Sequence, residues 1–182
     1  MNYNKIVTLK NNKKCIIKNA SEKEAQGVLD VFNAARFQTD FLLNYPDETN
    51  FTVEQEKEFL LHKEKSKNEI QLCAIVDDKI VATASVDALG NNFKIKHRAE
   101  LGIAVNKTFW GMGIGKELAI ACIECAKMAG YLQLELSVVS GNLPAVSLYK
   151  KIGFVEYGRN PKGFNSRKTG WQELILMRLE LN

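Results

Sequence analysis

A run of glycines past the middle of the chain, Trp110-Gly111-Met112-Gly113-Ile114-Gly115-Lys116, has the makings of an anion cradle. Glycine lets the backbone bend tightly and brings its N–H groups close to a ligand. Where such a loop opens a helix, the first amides of the helix lack partners and the dipole adds partial positive charge. That combination binds phosphate, and Lys116 supplies a full charge. A nucleotide P-loop requires Gly-Lys followed by Ser or Thr, and Glu117 stands there. A dinucleotide fingerprint requires a third glycine three residues beyond the second. That place holds Lys116 or Leu118, depending on the pair chosen. A plain glycine-rich strand–helix turn with no ligand stays open on the loop alone.

Other groups carry chemistry less specifically. The phenol of Tyr149 keeps its proton at neutral pH, although its helical spacing with Leu148 and Ile152 also suits a core aromatic. Asn142 offers a side-chain amide and equally suits a helix N-cap. Glu100 and Glu135 fall on predicted strands, each a base or an ordinary paired carboxylate. His62 and His97 are isolated and read as surface residues. Of the cysteines Cys15, Cys73, Cys122 and Cys125, only the last two are close. A zinc ribbon needs a second such pair, so they read as a buried helix stripe and no metal is expected.

The elements that must position these groups follow from periodicity. Lys14 to Lys18 reads as a strand. Ser21 with Glu24, and Thr52 with Gln55, are capping boxes opening two helices. The first has the apolar stripe Ala25, Val28, Leu29, Phe32 and Ala35; the second runs to about Lys65. Phe37 to Phe51 between them reads as an aromatic and acidic loop. Ile70–Val76 and Ile80–Val86 are strands joined by an Asp77-Asp78-Lys79 turn, and Ala99–Val105 is the next strand. The glycine loop then opens a helix with stripe Leu118, Cys122, Cys125 and Ala129, closed by Gly130. Leu132–Val138 is a strand, Asn142 and Pro144 start another helix, and Gly153 ends it. Phe154–Gly158 and Trp171–Leu179 are the last strands, joined by a basic loop, Arg159 to Gly170. This order makes a mixed α/β fold, with a strand–helix–strand unit that places one parallel pair in a mostly antiparallel sheet.

Two of these segments together carry a resemblance. Glu100-Leu101-Gly102-Ile103-Ala104-Val105 followed by the glycine loop resembles the cofactor motif of the Gcn5-related N-acetyltransferases. Asn142-Leu143-Pro144-Ala145 and Leu148-Tyr149-Lys150-Lys151-Ile152-Gly153-Phe154 look like that family's second motif, in the right order and at the right distance. The resemblance implies one N-acetyltransferase domain over residues 14–182, with residues 1–13 a short lead-in. It implies helices on both faces of a sheet whose central parallel strands splay apart to admit acetyl-CoA. Ile103, Ala104 and Val105 would then offer backbone groups to the pantetheine arm, a β-augmentation mode. Met112, Gly113, Ile114, Gly115 and Lys116 would surround the pyrophosphate, and Asn142 would bond the arm. One position departs from the family pattern: Trp110 stands where Gln or Arg is usual, three residues before the loop's penultimate glycine.

The implied reaction is direct attack of an amine on the thioester. It needs an unprotonated amine, a stabilised carbonyl oxygen and a proton for the leaving thiolate. Tyr149 matches the family's proton-donating tyrosine. Glu100 or Glu135, or a water relay, would remove the amine's proton, and an N–H near Ile103 or Ala104 would serve the oxyanion. The acceptor, a small-molecule or peptide amine, would lie between Phe37–Phe51 and Arg159–Gly170. The carboxylates Asp47 and Glu48 in the first suit a cationic amine; Arg159, Lys162, Arg167 and Lys168 in the second suit an acidic one. A module that binds acetyl-CoA without turnover, as a sensor or assembly part, is the alternative. A homodimer is compatible with either.

Composition narrows the field. The chain has 182 residues, enough for one domain with a real core. No stretch is apolar enough to span a bilayer, and the polar start Met1-Asn2-Tyr3-Asn4-Lys5 is no signal peptide, so a cytoplasmic location is expected. The net charge of +4 is mild and its basic residues are scattered, which argues against nucleic-acid binding.

Overall fold

The computed structural model describes residues 1–48 and 51–181. Its strands are β1 (Asn4–Thr8), β2 (Lys14–Asn19), β3 (Ile70–Val76), β4 (Lys79–Ala88), β5 (Arg98–Val105), β6 (Gln133–Val139), β7 (Val155–Ser166) and β8 (Gly170–Glu180). They form one eight-stranded sheet in the order β1-β2-β3-β4-β5-β6-β8-β7. Every neighbouring pair is antiparallel except β5 with β6. The helices are α1 (Ala25–Gln38), α2 (Val53–Lys65), α3 (Ile114–Met128) and α4 (Leu143–Lys151).

Local chemistry accounts for most boundaries. The β3–β4 turn holds Asp77 and Asp78 at φ 50 and 59. Two successive positive φ values make the tight turn that matches strand twist, and Asp tolerates them. Both capping boxes form: the Ser21 side chain accepts from Lys23 N–H and Thr52 from Gln55 N–H, while Glu24 and Gln55 reach back to the cap amides. Each cap stabilises its helix by about 1 kcal/mol. Gly130 and Gly153 end α3 and α4 at φ 81 and 102, left-handed positions where other residues are strained.

The core has two layers. Ala25 and Val28 of α1 and Leu60 of α2 bury with Ala20 and Cys73 on one face of the sheet. Leu118, Ala121, Cys122, Cys125 and Ala126 of α3 bury against β3–β6 on the other, joined by Val146 of α4. All four cysteines are buried free thiols, and Cys122 and Cys125 lie on the buried stripe of α3. No helix among the described residues is long and apolar enough to cross a membrane.

Two segments differ from the sequence reading. Residues 4–8, read as part of a lead-in, form β1, and Tyr3 and Lys5 bond Glu124 of α3. Most of Arg159–Gly170, read as a loop, continues β7 to Ser166, so the hairpin turn shrinks to Arg167-Lys168-Thr169. Register shifts at Glu156/Gly158 and Asn160/Phe164 absorb the irregular residues. A bulged edge strand tolerates the prolines and glycines that otherwise signal a loop.

Candidate active site

The parallel pair is short. Arg98, Ala99 and Glu100 of β5 pair with Gln133, Leu134 and Glu135 of β6, and there the ladder stops. Beyond it β5 stays with β4 as far as Val105, and β6 stays with β8 as far as Val139. The strands therefore splay, leaving one side of Leu101–Val105 without a partner strand.

Which groups face that opening follows from the register. Asn106 N–H donates to Val81 C=O at 3.0 Å and Leu89 N–H to Arg98 C=O at 3.3 Å. Hydrogen-bonded pairs alternate along an antiparallel ladder, so Glu100, Gly102 and Ala104 bond β4. Leu101, Ile103 and Val105 turn their N–H and C=O the other way. Ala104 pairs with Thr83 of β4, so of that trio Ile103 and the Val105 N–H turn to the cleft. Trp110 closes the row. Its indole N–H donates to Val105 C=O at 2.8 Å, so the residue that departs from the usual pattern fixes the end of the strand.

The glycine loop continues from there. Gly111 and Gly113 have φ 77 and 97, and Gly113 is the N-cap of α3 with no side-chain cap. The first amide returned into the helix is Glu117 N–H, to Gly113 C=O at 3.1 Å. The N–H groups of Ile114, Gly115 and Lys116 precede it and have no intrahelical partner. Ile114 buries its side chain, and Lys116 is exposed. A Cβ on Gly115 would sit 3.7 Å from Leu148 and 3.9 Å from Val105, so α3, α4 and the end of β5 converge there. The β1–β2 turn braces the loop from outside, with Lys10 N–H donating to Met112 C=O at 3.2 Å. Sequence reading missed this brace because it treated residues 1–13 as separate.

Tyr149 lies half-buried on α4, with its ring centroid 5.7 Å from that of Phe154. Burial, and to a lesser degree nearby Cys122, pushes its phenol up to about 12. Asn142 caps α4, accepting Ala145 N–H at 3.4 Å.

The two strand carboxylates separate. Glu135 is buried in a fork with Arg98, also takes bonds from Tyr157 and Gln133, and is held below the usual carboxylate range chiefly by Arg98. It is no base. Glu100 sits between Asp87 and Glu135 at the last parallel rung. Desolvation first, then those two charges, raise its carboxyl.

On the α1/α2 face the opening continues into a pocket of about 420 Å³. Its floor is Thr83, Ser85, Gly102 and Ile103, and its walls come from α1, α2 and Leu42–Asn44. A Cβ on Gly102 would come 3.1 Å from the Ser85 hydroxyl, so glycine keeps that floor low. The 39–48 segment is clasped to the last hairpin. Asp40 accepts from the hydroxyls of Tyr45 (3.0 Å), Ser166 (2.6 Å) and Thr169 (3.3 Å) and from the Gln172 amide (3.0 Å). Burial alone would raise its carboxyl, but these bonds outweigh it and hold it below the ordinary value. Arg167 pairs with both Asp47 and Glu48. Of the opposed acidic and basic signals in the sequence, Asp47 and Glu48 thus pair with Arg167, whereas Arg159 pairs with Glu156 and Glu173. Thr49 and Asn50 of that segment lie outside the described residues.

Known proteins match this arrangement. The model of the acetyltransferase (GNAT) family matches residues 34–154. The L-amino acid N-acetyltransferase AaaT of Escherichia coli is 31% identical over 93 residues, 50% of this chain and 57% of that protein, so the likeness spans little more than half of the relative. A GNAT-family acetyltransferase structure from Streptococcus pneumoniae superposes with a TM-score of 0.86 at 29% identity, covering 91% of this chain and 99% of that one. YncA of Salmonella typhimurium, solved with its cofactor acetyl-CoA, shares the fold at TM-score 0.81 and 18% identity, covering 92% and 94%.

Proposed function

The chain belongs to the acetyltransferase (GNAT) family, and from that premise we propose that it transfers the acetyl group of acetyl-CoA to a primary amine of a small molecule or peptide. The observation that carries the reading is continuity. The outward-facing groups of Ile103 and the N–H of Val105 lead toward the helix-start amides of Ile114, Gly115 and Lys116. An extended polar arm ending in a diphosphate fits such a track, with the arm completing the ladder and the anion at the helix N-terminus. Lys116 adds charge beside that anion, and Met112 and Gly113 shape the turn.

The bound co-substrate supplies an activated acyl carbon and a sulfur leaving group. The protein supplies what surrounds them. Ile103 N–H is the cleft-facing donor for an acyl oxygen gaining charge. Tyr149 holds its proton throughout the neutral range. At about 12 it is a far weaker acid than a thiol, near 8.5. It therefore stabilises a departing thiolate by donating a hydrogen bond rather than by surrendering the proton. Asn142 uses its side-chain oxygen on α4 and keeps its NH2 for the arm. Glu100, raised and exposed, is the strand-borne group for taking the amine's proton. The Escherichia coli relative is named for L-amino acids, so small primary amines are the first acceptors to assay.

Thermal shift tests the premise about the co-substrate. Acetyl-CoA at a hundred times its Kd should stabilise the fold by about 2.7 kcal/mol, and NAD and ATP should not. Free-thiol release across an amine panel should then report turnover. Stabilisation by NAD without any by acetyl-CoA would end this reading.

A further inference from the structure

The pocket on the α1/α2 face contains a group that neither the fold nor the cleft requires. Glu56 of α2 lines it and is only 6% exposed. Among the described residues its carboxylate has no hydrogen bond and no ion pair, and burial alone raises its carboxyl. A largely buried carboxylate with no protein partner is costly, and a cation held in the pocket beside it offsets that cost. The other charge at the pocket, Arg36, is engaged with the Tyr45 carbonyl and the Asn33 side chain and stacks 5.0 Å from the Phe32 ring.

The pocket that Glu56 lines combines apolar walls with a polar floor. Leu29 and Phe32 of α1, Leu42, and Phe59 one turn along α2 form the walls, and Phe32 and Phe59 are each 37% exposed. The same pocket opens onto Gly102 and Ile103 of β5, and Ile103 turns its backbone to the cleft. One buried negative group, apolar walls and access to the reaction centre describe a complementary molecule.

Resting on the acetyl-transfer reading, we propose that Glu56 is the counter-ion for the acceptor's ammonium, and that the acceptor is a primary amine carried on an apolar, aromatic-sized body. The apolar walls favour such a body over a polyamine or an aminoglycoside, whose further charges would lie against Leu29, Phe32, Leu42 and Phe59.

The test is a binding series by calorimetry, run with and without CoA. 2-Phenylethylamine is compared with its neutral isostere 2-phenylethanol and with spermidine, on the native protein and on Glu56→Gln. The native protein should bind phenylethylamine at least about tenfold more tightly than either comparator, as a charge-assisted contact implies. Glu56→Gln should lose that preference while keeping CoA affinity. The assignment is overturned if phenylethanol binds native protein as tightly as the amine, if spermidine binds more tightly, or if Glu56→Gln retains the preference. The ligand comparison on native protein stands even if the variant fails to fold. An amine preference without CoA binding would sink the transfer reading and spare the pocket's occupant.

Discussion

The cleft and the pocket meet at Ile103 and are built from different materials. The cleft is main chain: outward-facing groups of β5, then the unpartnered amides of α3 behind Gly111 and Gly113. The pocket is side chain: Phe32, Phe59, Glu56 and a segment clasped by Asp40. Main-chain recognition depends on conformation, so one unusual side chain such as Trp110 leaves it intact. Side-chain recognition depends on each residue and on whatever holds it in place.

That contrast is open to attack at several points. The largest effect is expected at Tyr149, the side chain proposed to meet the departing thiolate. Tyr149→Phe should lower turnover about a hundredfold while leaving acetyl-CoA affinity within twofold, read by thiol release and calorimetry; equal loss of affinity would make Tyr149 a packing residue. Next comes the clasp. Asp40→Ala removes charge-assisted bonds worth about 1.5–3 kcal/mol in favourable cases, and should raise KM for the amine without touching acetyl-CoA binding. The native clasp also has a pH signature. A carboxyl lowered on folding stabilises fully above its unfolded value, about 3.9, and that contribution disappears as pH falls through the lowered value. Proteolysis within residues 39–48 should therefore accelerate below about pH 4, and cleavage that ignores pH would remove Asp40 from this role. The smallest effect is conformational. Gly113→Ala at φ 97 costs about 1–2 kcal/mol of backbone strain, predicting roughly a tenfold loss of acetyl-CoA affinity and none of amine affinity.

The same contrast explains what the sequence could reveal. Glycine spacing, the Asp77-Asp78 turn and the two capping boxes are local signals, and each corresponds to local geometry here. Glu56 is the opposite case. It stands in a charged helix, Glu54-Gln55-Glu56-Lys57-Glu58, and nothing local separates it from its exposed neighbours. Only the docking of α2 against α1 and the sheet buries it. Glu100 and Glu135, similar in sequence, were divided by one residue, Arg98. In β7, Asn160-Pro161-Lys162-Gly163 spells a loop, yet Gly163 lets the strand lie so close to β8 that a Cβ would be 2.3 Å from Leu174.

The interrupted ladder of β5 has a further consequence. Unpaired strand backbone normally invites self-association between molecules. Here it lies in mid-sheet, between β5 and β6, and α3, α4 and the end of β5 converge at Gly115. The outer edges of the sheet are β1 and β7, so this interrupted ladder is sheltered between neighbours as an edge strand is not.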